Sequence, residues 1–132
     1  MQQKTITEKE MRTLIKAQQG EMDAVLMYRA LAKTVKDPED AKTFLQLAAE
    51  EGHHAAVFRK LTDRSLKPGK AKAIFLPRLY KVLGREKLYP IIANGEYAAV
   101  KKYEPVVERF PEVESVKNDE QRHGDTVLAL LQ

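Results

Sequence analysis

Four stretches of this chain carry apolar residues at helical spacing, and each places a glutamate at the centre of its apolar stripe. Stepping by threes and fours gives Leu14, Ala17, Glu21, Val25 and Tyr28 in the first stretch and Phe44, Leu47, Glu51, His54 and Phe58 in the second. The third reads Tyr89, Ile92, Glu96, Val100 and Tyr103, and the fourth Val113, Val116, Glu120, His123 and Val127. Burying an ionised carboxylate costs several kcal/mol unless it is paired. A chain that does so four times has to bring the four acids together around something positive.

The rest of the pattern predicts an all-α fold of four long helices. Thr7 and Glu10 form a capping box for a first helix reaching about Val35, and Asp37-Pro38-Glu39 turns the chain into a second that ends near Asp63. A loop from Arg64 to Gly69 leads to a shorter helical piece, about Lys70 to Leu83, closed by Gly84. The third long helix spans about Arg85 to Val107, with Pro90 obscuring its start, and the last begins near Pro111 and runs almost to Gln132. Short turns make each pair antiparallel. The segment between the pairs, at about 40 Å of reach, is long enough to cross the bundle and set the second and third long helices parallel. The expected architecture is one domain over residues 1–132, a four-helix bundle with a long crossover.

Heights follow from the turns. Midway between Glu21 and Glu51 lies Lys36, inside the first turn, and midway between Glu96 and Glu120 lies Glu108, at the second. Each pair is therefore level. The chain also repeats itself as Glu, then Glu-x-x-His, twice. A single Glu-x-x-His on a helix usually means a solvated acid and a satisfied imidazole; two copies on apolar stripes, each matched to a level glutamate, point to a pair of metal ions. The expected ligands are Glu21, Glu51, His54, Glu96, Glu120 and His123. Four carboxylates and two imidazoles suit two iron ions, with manganese possible and zinc a poorer fit.

Register separates neighbours in Glu50-Glu51-Gly52-His53-His54. Glu50 and His53 step onto a polar edge, Glu51 and His54 onto the apolar stripe, so His53 is expected outside the ligand set. Glu50 and Asp119 each precede a Glu-x-x-His; they either accept a proton from a ligand histidine across the bundle or form a solvated flank. Tyr28 and Tyr103, each two turns from a glutamate, either donate a hydrogen bond or an electron at the site or are ordinary core residues. Gly20, Gly52, Gly95 and Gly124 adjoin the proposed ligands at about 1 kcal/mol each relative to alanine, which close helix approach, open volume or simple tolerance would explain.

Composition removes several classes. Without cysteine there is no disulfide, thiolate metal site or cysteine nucleophile. A net charge of +4 with acids and bases interspersed gives no nucleic-acid platform. The lack of a cleavable signal or a long uncharged run leads to an expectation of a cytoplasmic protein without membrane contact.

The segments QQGEMDAVLMYRALA, AAEEGHHAAVFRKL, NGEYAAVKKY and DEQRHGD resemble the ferritin-like di-iron carboxylate superfamily, specifically its rubrerythrin-like branch, over nearly the whole chain. The resemblance implies Glu51 and Glu120 as bridging carboxylates, Glu21 and Glu96 as terminal ones, and His54 and His123 on one iron each. It also implies reduction of hydrogen peroxide or dioxygen, in defence against oxidative stress. Rubrerythrins proper add a four-cysteine rubredoxin domain and a further glutamate one turn beyond the third-helix ligand. This chain has no cysteine, and Ala99 stands at that second place. Electrons must then come from a separate donor, and the six-ligand site is closer to that of a bacterioferritin. The bases from Lys67 to Arg85 suggest an acidic donor such as a rubredoxin or flavodoxin, and a homodimer is the expected assembly.

Other functions compete with this di-iron peroxidase or oxidase. Iron storage or ferroxidase activity of ferritin type is the main alternative, with no fifth helix to help close a cage. A metal-assisted hydrolase would need polar groups for its substrate, and an inert bundle would not need metal.

Overall fold

The computed structural model describes residues 5–132. It consists of α1 (Glu8–Thr34), α2 (Pro38–Thr62), α3 (Ala71–Leu83), α4 (Arg85–Val107) and α5 (Glu114–Ala129), with no strand among the described residues. The expected capping box is present: Thr7 Oγ1 accepts from the Glu10 amide at 3.1 Å, and Glu10 Oε1 accepts from the Thr7 amide at 3.0 Å. Asp37 caps α2 by accepting from the Glu39 amide, with Pro38 in the first helical position. Asp63 ends α2 in the left-handed region at φ 53°, which a short polar side chain tolerates. Gly84, at φ 77°, both closes α3 and opens α4, a backbone state that needs glycine.

One boundary, the start that Pro90 obscured, falls where the sequence reading put it, and another differs. Helix α4 starts at Arg85 and runs through Pro90, since a proline near the first turns removes only one interior hydrogen bond. The last helix does not start at Pro111: Pro111–Val113 form a 3₁₀ turn and α5 follows from Glu114. Pro111 fits the first turn of either helix type, so the tighter winding cannot be read from the residue pattern.

Directions follow from contacts between helices. The crossover climbs beside α1, with Gln18 on the Arg64 carbonyl, Asp23 on the Gly69 amide and the Lys36 amide on the Tyr80 hydroxyl. It delivers α4 to the end of the bundle where α2 begins, and there Arg85 and Tyr89 both bind the buried Asp40 carboxylate. Helices α2 and α4 are therefore parallel, and the bundle is ferritin-like.

The core is split in two. One apolar cluster gathers Tyr28, Leu31, Phe44, Leu47, Leu88 and Tyr89, with Tyr28 stacked on Phe44 at 5.7 Å and Tyr89 edge-on to it at 5.3 Å. The other holds Leu14, Phe58, Tyr103, Phe110, Val113 and Val116. Each large side chain so buried contributes about 1.5–3 kcal/mol. Between the clusters lies a layer of acids and imidazoles. Helices α1 and α2 pack closely, as do α4 and α5, but no Cα of α1 comes within 8 Å of one in α4. The two hairpins meet through this polar layer, through the apolar clusters on either side of it and through the crossover.

Candidate metal centre

All six expected ligand residues are in that layer, each at least nine-tenths buried: Glu21, Glu51, His54, Glu96, Glu120 and His123. They form two groups of four, each with potential ligand atoms within 4.8 Å of one another. One is Glu21, Glu51, His54 and Glu120; the other is Glu51, Glu96, Glu120 and His123. Glu51 and Glu120 belong to both. The two imidazoles lie face to face with ring centres 5.5 Å apart.

Each histidine directs Nδ1 at the carboxylates and Nε2 away from them. His54 Nδ1 lies 2.9 Å from Glu21 and 2.8 Å from Glu51, and His123 Nδ1 lies 3.3 Å from Glu120. On the far side, His54 Nε2–H donates to Asp119 at 2.8 Å and His123 Nε2–H donates to Glu50 at 3.0 Å. A carboxylate can only accept, so these bonds hold a proton on Nε2 and turn Nδ1 towards the centre. Of the two readings for Glu50 and Asp119, the cross-bundle acceptor is the one found. Arg122, which sequence reasoning missed, binds both carboxylates and joins the two histidine supports. Its only signal in the sequence is its place in DEQRHGD, three residues after Asp119. His53 is exposed, as the register required.

The tyrosines act on the other pair of acids. Tyr28 donates to Glu96 Oε1 at 2.6 Å and Tyr103 donates to Glu21 Oε2 at 2.8 Å, each reaching across from α1 to α4 or back. Burial first, and then these glutamates, push both phenols well above their usual range.

Protons take up the role of cations in the metal-free chain. Burial raises Glu51 to about 10 and Glu21 to about 7, so Glu51 is protonated at neutral pH. Burial opposes ionisation of Glu120 too, but the His123 and His54 imidazoles beside it outweigh that and hold the acid at about 2. Burial likewise disfavours charge on the imidazoles, yet the surrounding glutamates prevail, lifting His123 to about 12 and His54 well above its ordinary value. The site binds positive charge even before any metal arrives.

The donor set also passes a test of fit. Glu96 Oε2, Glu120 Oε1 and His123 Nδ1 are buried without a hydrogen-bond partner, and all three face the centre. Unpartnered buried polar atoms are rare. Here a metal ion would satisfy all three.

The glycines beside the site serve different ends. A Cβ on Gly124 would strike the Tyr97 ring, whereas at Gly20 and Gly95 it would meet nothing within 4 Å. Close approach explains the first, and open volume the other two.

Comparison with known families was decisive here: the rubrerythrin family model matches residues 13–131. The chain belongs to the rubrerythrin family. No curated protein and no solved structure matched it. The family and the buried Glu/His cluster together are compatible with a di-iron site of the ferritin-like superfamily. Among the described residues, no helix of this rubrerythrin-family chain is long and apolar enough to cross a membrane.

Proposed function

We propose that this chain is a di-iron oxidoreductase that reduces hydrogen peroxide or dioxygen with electrons from a separate donor. The observation that carries the reading is the sharing of Glu51 and Glu120 between two four-residue groups, which supports a pair of metals that both carboxylates would help to hold. Glu21 and His54 would complete one metal's ligands, Glu96 and His123 the other's. When bound, two such metals supply two electrons to an O–O bond, enough to take one peroxide to water.

The chain's own residues prepare that centre. Asp119 and Glu50 keep the imidazole Nδ1 atoms free to ligate, and Arg122 holds both supports in place. Tyr28 and Tyr103 orient the terminal carboxylates and bring a proton within hydrogen-bond reach of the site. Burial of the six side chains lowers the dielectric around them, which strengthens each of these interactions.

The donor is an acidic redox protein of rubredoxin or flavodoxin type, since no acid interrupts the bases from Lys67 to Arg85. Stopped-flow mixing of the reduced, iron-loaded protein with one equivalent of peroxide, and separately with dioxygen, tests the reading. Reoxidation should be fast, turnover should stall until a donor is added, and salt should slow only the turnover. Failure to react with either oxidant within minutes would overturn it.

A further inference from the structure

Between α1 and α4 lies a cavity of about 630 Å³ that reaches from the surface to the carboxylate layer. Its floor is Glu21, Glu51, Glu96 and Glu120, two of which carry unpartnered oxygens. Its walls are apolar: Ala17, Ala24, Met27, Leu76, Ile92 and Ala99. Three exposed lysines, Lys16, Lys72 and Lys102, also line it, and none forms an ion pair among the described residues.

This space is far too large for a two-atom oxidant alone, given that a water takes up about 30 Å³ of liquid. It falls within the range of sites for organic ligands, roughly 300–1,000 Å³. It is also long. The lining on α1 runs from Thr13 to Tyr28, about 22 Å at the helical rise. Gly20 and Gly95, on opposite banks, keep it clear of side chains.

Lys72 stands one turn before Leu76 on α3, whereas the other two lysines give the cavity a direction. The cross-bonds Tyr28 to Glu96 and Tyr103 to Glu21 make α1 and α4 antiparallel. Lys16 precedes Glu21, and Lys102 follows Glu96, by about 8–9 Å along their axes. Both therefore sit towards the same end, on facing banks. The apolar residues Met27, Leu76 and Ile92 lie beyond the acids, towards the other end.

We propose that this cavity binds an organic anion with an apolar body, of the class of medium-chain carboxylates. Its head lies between Lys16 and Lys102, and its chain runs past Ala17 and Ala99 towards Met27, Leu76 and Ile92. This assignment goes beyond the reduction of a small oxidant.

Calorimetric titration of the metal-loaded protein with decanoate, acetate and decylammonium tests it, with metal content measured in the same samples. Decanoate should bind once per chain, and acetate, which lacks the apolar body, more than about tenfold more weakly. Decylammonium should bind more weakly than decanoate, and Lys16→Glu/Lys102→Glu should weaken decanoate by about tenfold or more. Gly20→Leu/Gly95→Leu, which narrows the cavity where a Cβ meets nothing, should weaken it as well. Equal affinity for acetate and decanoate would mean a carboxylate on the metals only and would overturn the proposal. Absence of decanoate binding, or binding indifferent to both double variants, would overturn it too. A chain that keeps its metals while failing these titrations leaves the di-iron reading standing.

Discussion

Removing the metals should lower the melting temperature substantially, because the polar layer lies between two apolar clusters that scarcely touch each other. An ion that binds only the folded chain, present at a thousandfold above its dissociation constant, stabilises by about 4 kcal/mol. Unfolding entropy of about 2.1 cal/mol/K per residue gives roughly 0.28 kcal/mol/K for this chain. One ion is then worth about 15 °C, and a second in the same layer adds a comparable amount. The structure explains why the metal-free fold survives at all: protons on Glu51 and on both imidazoles partly replace the lost cations. Differential scanning calorimetry of chelated and iron-loaded protein, each verified by elemental analysis, measures the difference directly. An unchanged midpoint would refute the argument and favour a bundle in which the acids have no metal partner.

Elemental analysis of Glu51→Ala and of Glu120→Ala should show loss of both metals, since each residue belongs to both groups, whereas Glu21→Ala should lose chiefly one. Metal-free protein should lose stability as pH rises from about 4.5 towards 12, most steeply between about 6.5 and 10, where both groups contribute. Glu51 and His123 have folded values above their unfolded ones, so their contribution is complete below the unfolded value and disappears as pH climbs through the folded one. Metal-loaded protein should show a flatter profile in the same melting series, because ligation has already displaced those protons. Arg122→Ala should weaken metal binding about 10–100-fold in competition with a chelator, by freeing both histidine supports, while leaving the helical circular dichroism intact.

Much of this architecture is legible in the residue pattern. Periodicity identifies which residues face inward, and the turn at Asp37-Pro38 fixes the relative heights of Glu21 and Glu51, so the buried layer could be located without coordinates. The choice of Glu51 and His54 over Glu50 and His53 rests on the same argument, and their burial agrees with it. What periodicity does not specify is distance between helices. The parting of α1 from α4, and the cavity it leaves, depend on how the crossover packs along α1 and on tyrosines bridging the gap. Arg122 escaped notice for a related reason: it lies on a polar edge, where an arginine is ordinary until two carboxylates from different helices are seen to meet it.

The two halves of the site match almost residue for residue: Glu21 with Glu96, Glu51 with Glu120, His54 with His123, Tyr28 with Tyr103. Every substitution in one half therefore has a twin in the other, and the pair forms an internal control. Equal effects from Tyr28→Phe and Tyr103→Phe would describe interchangeable metals; unequal effects would measure a bias between them. The equivalence breaks at the supports, where Glu50 serves His123, the shorter Asp119 serves His54, and Arg122 stands where the first half has His53. That methylene and that arginine are where the chain's own side chains would give two bound metals different characters.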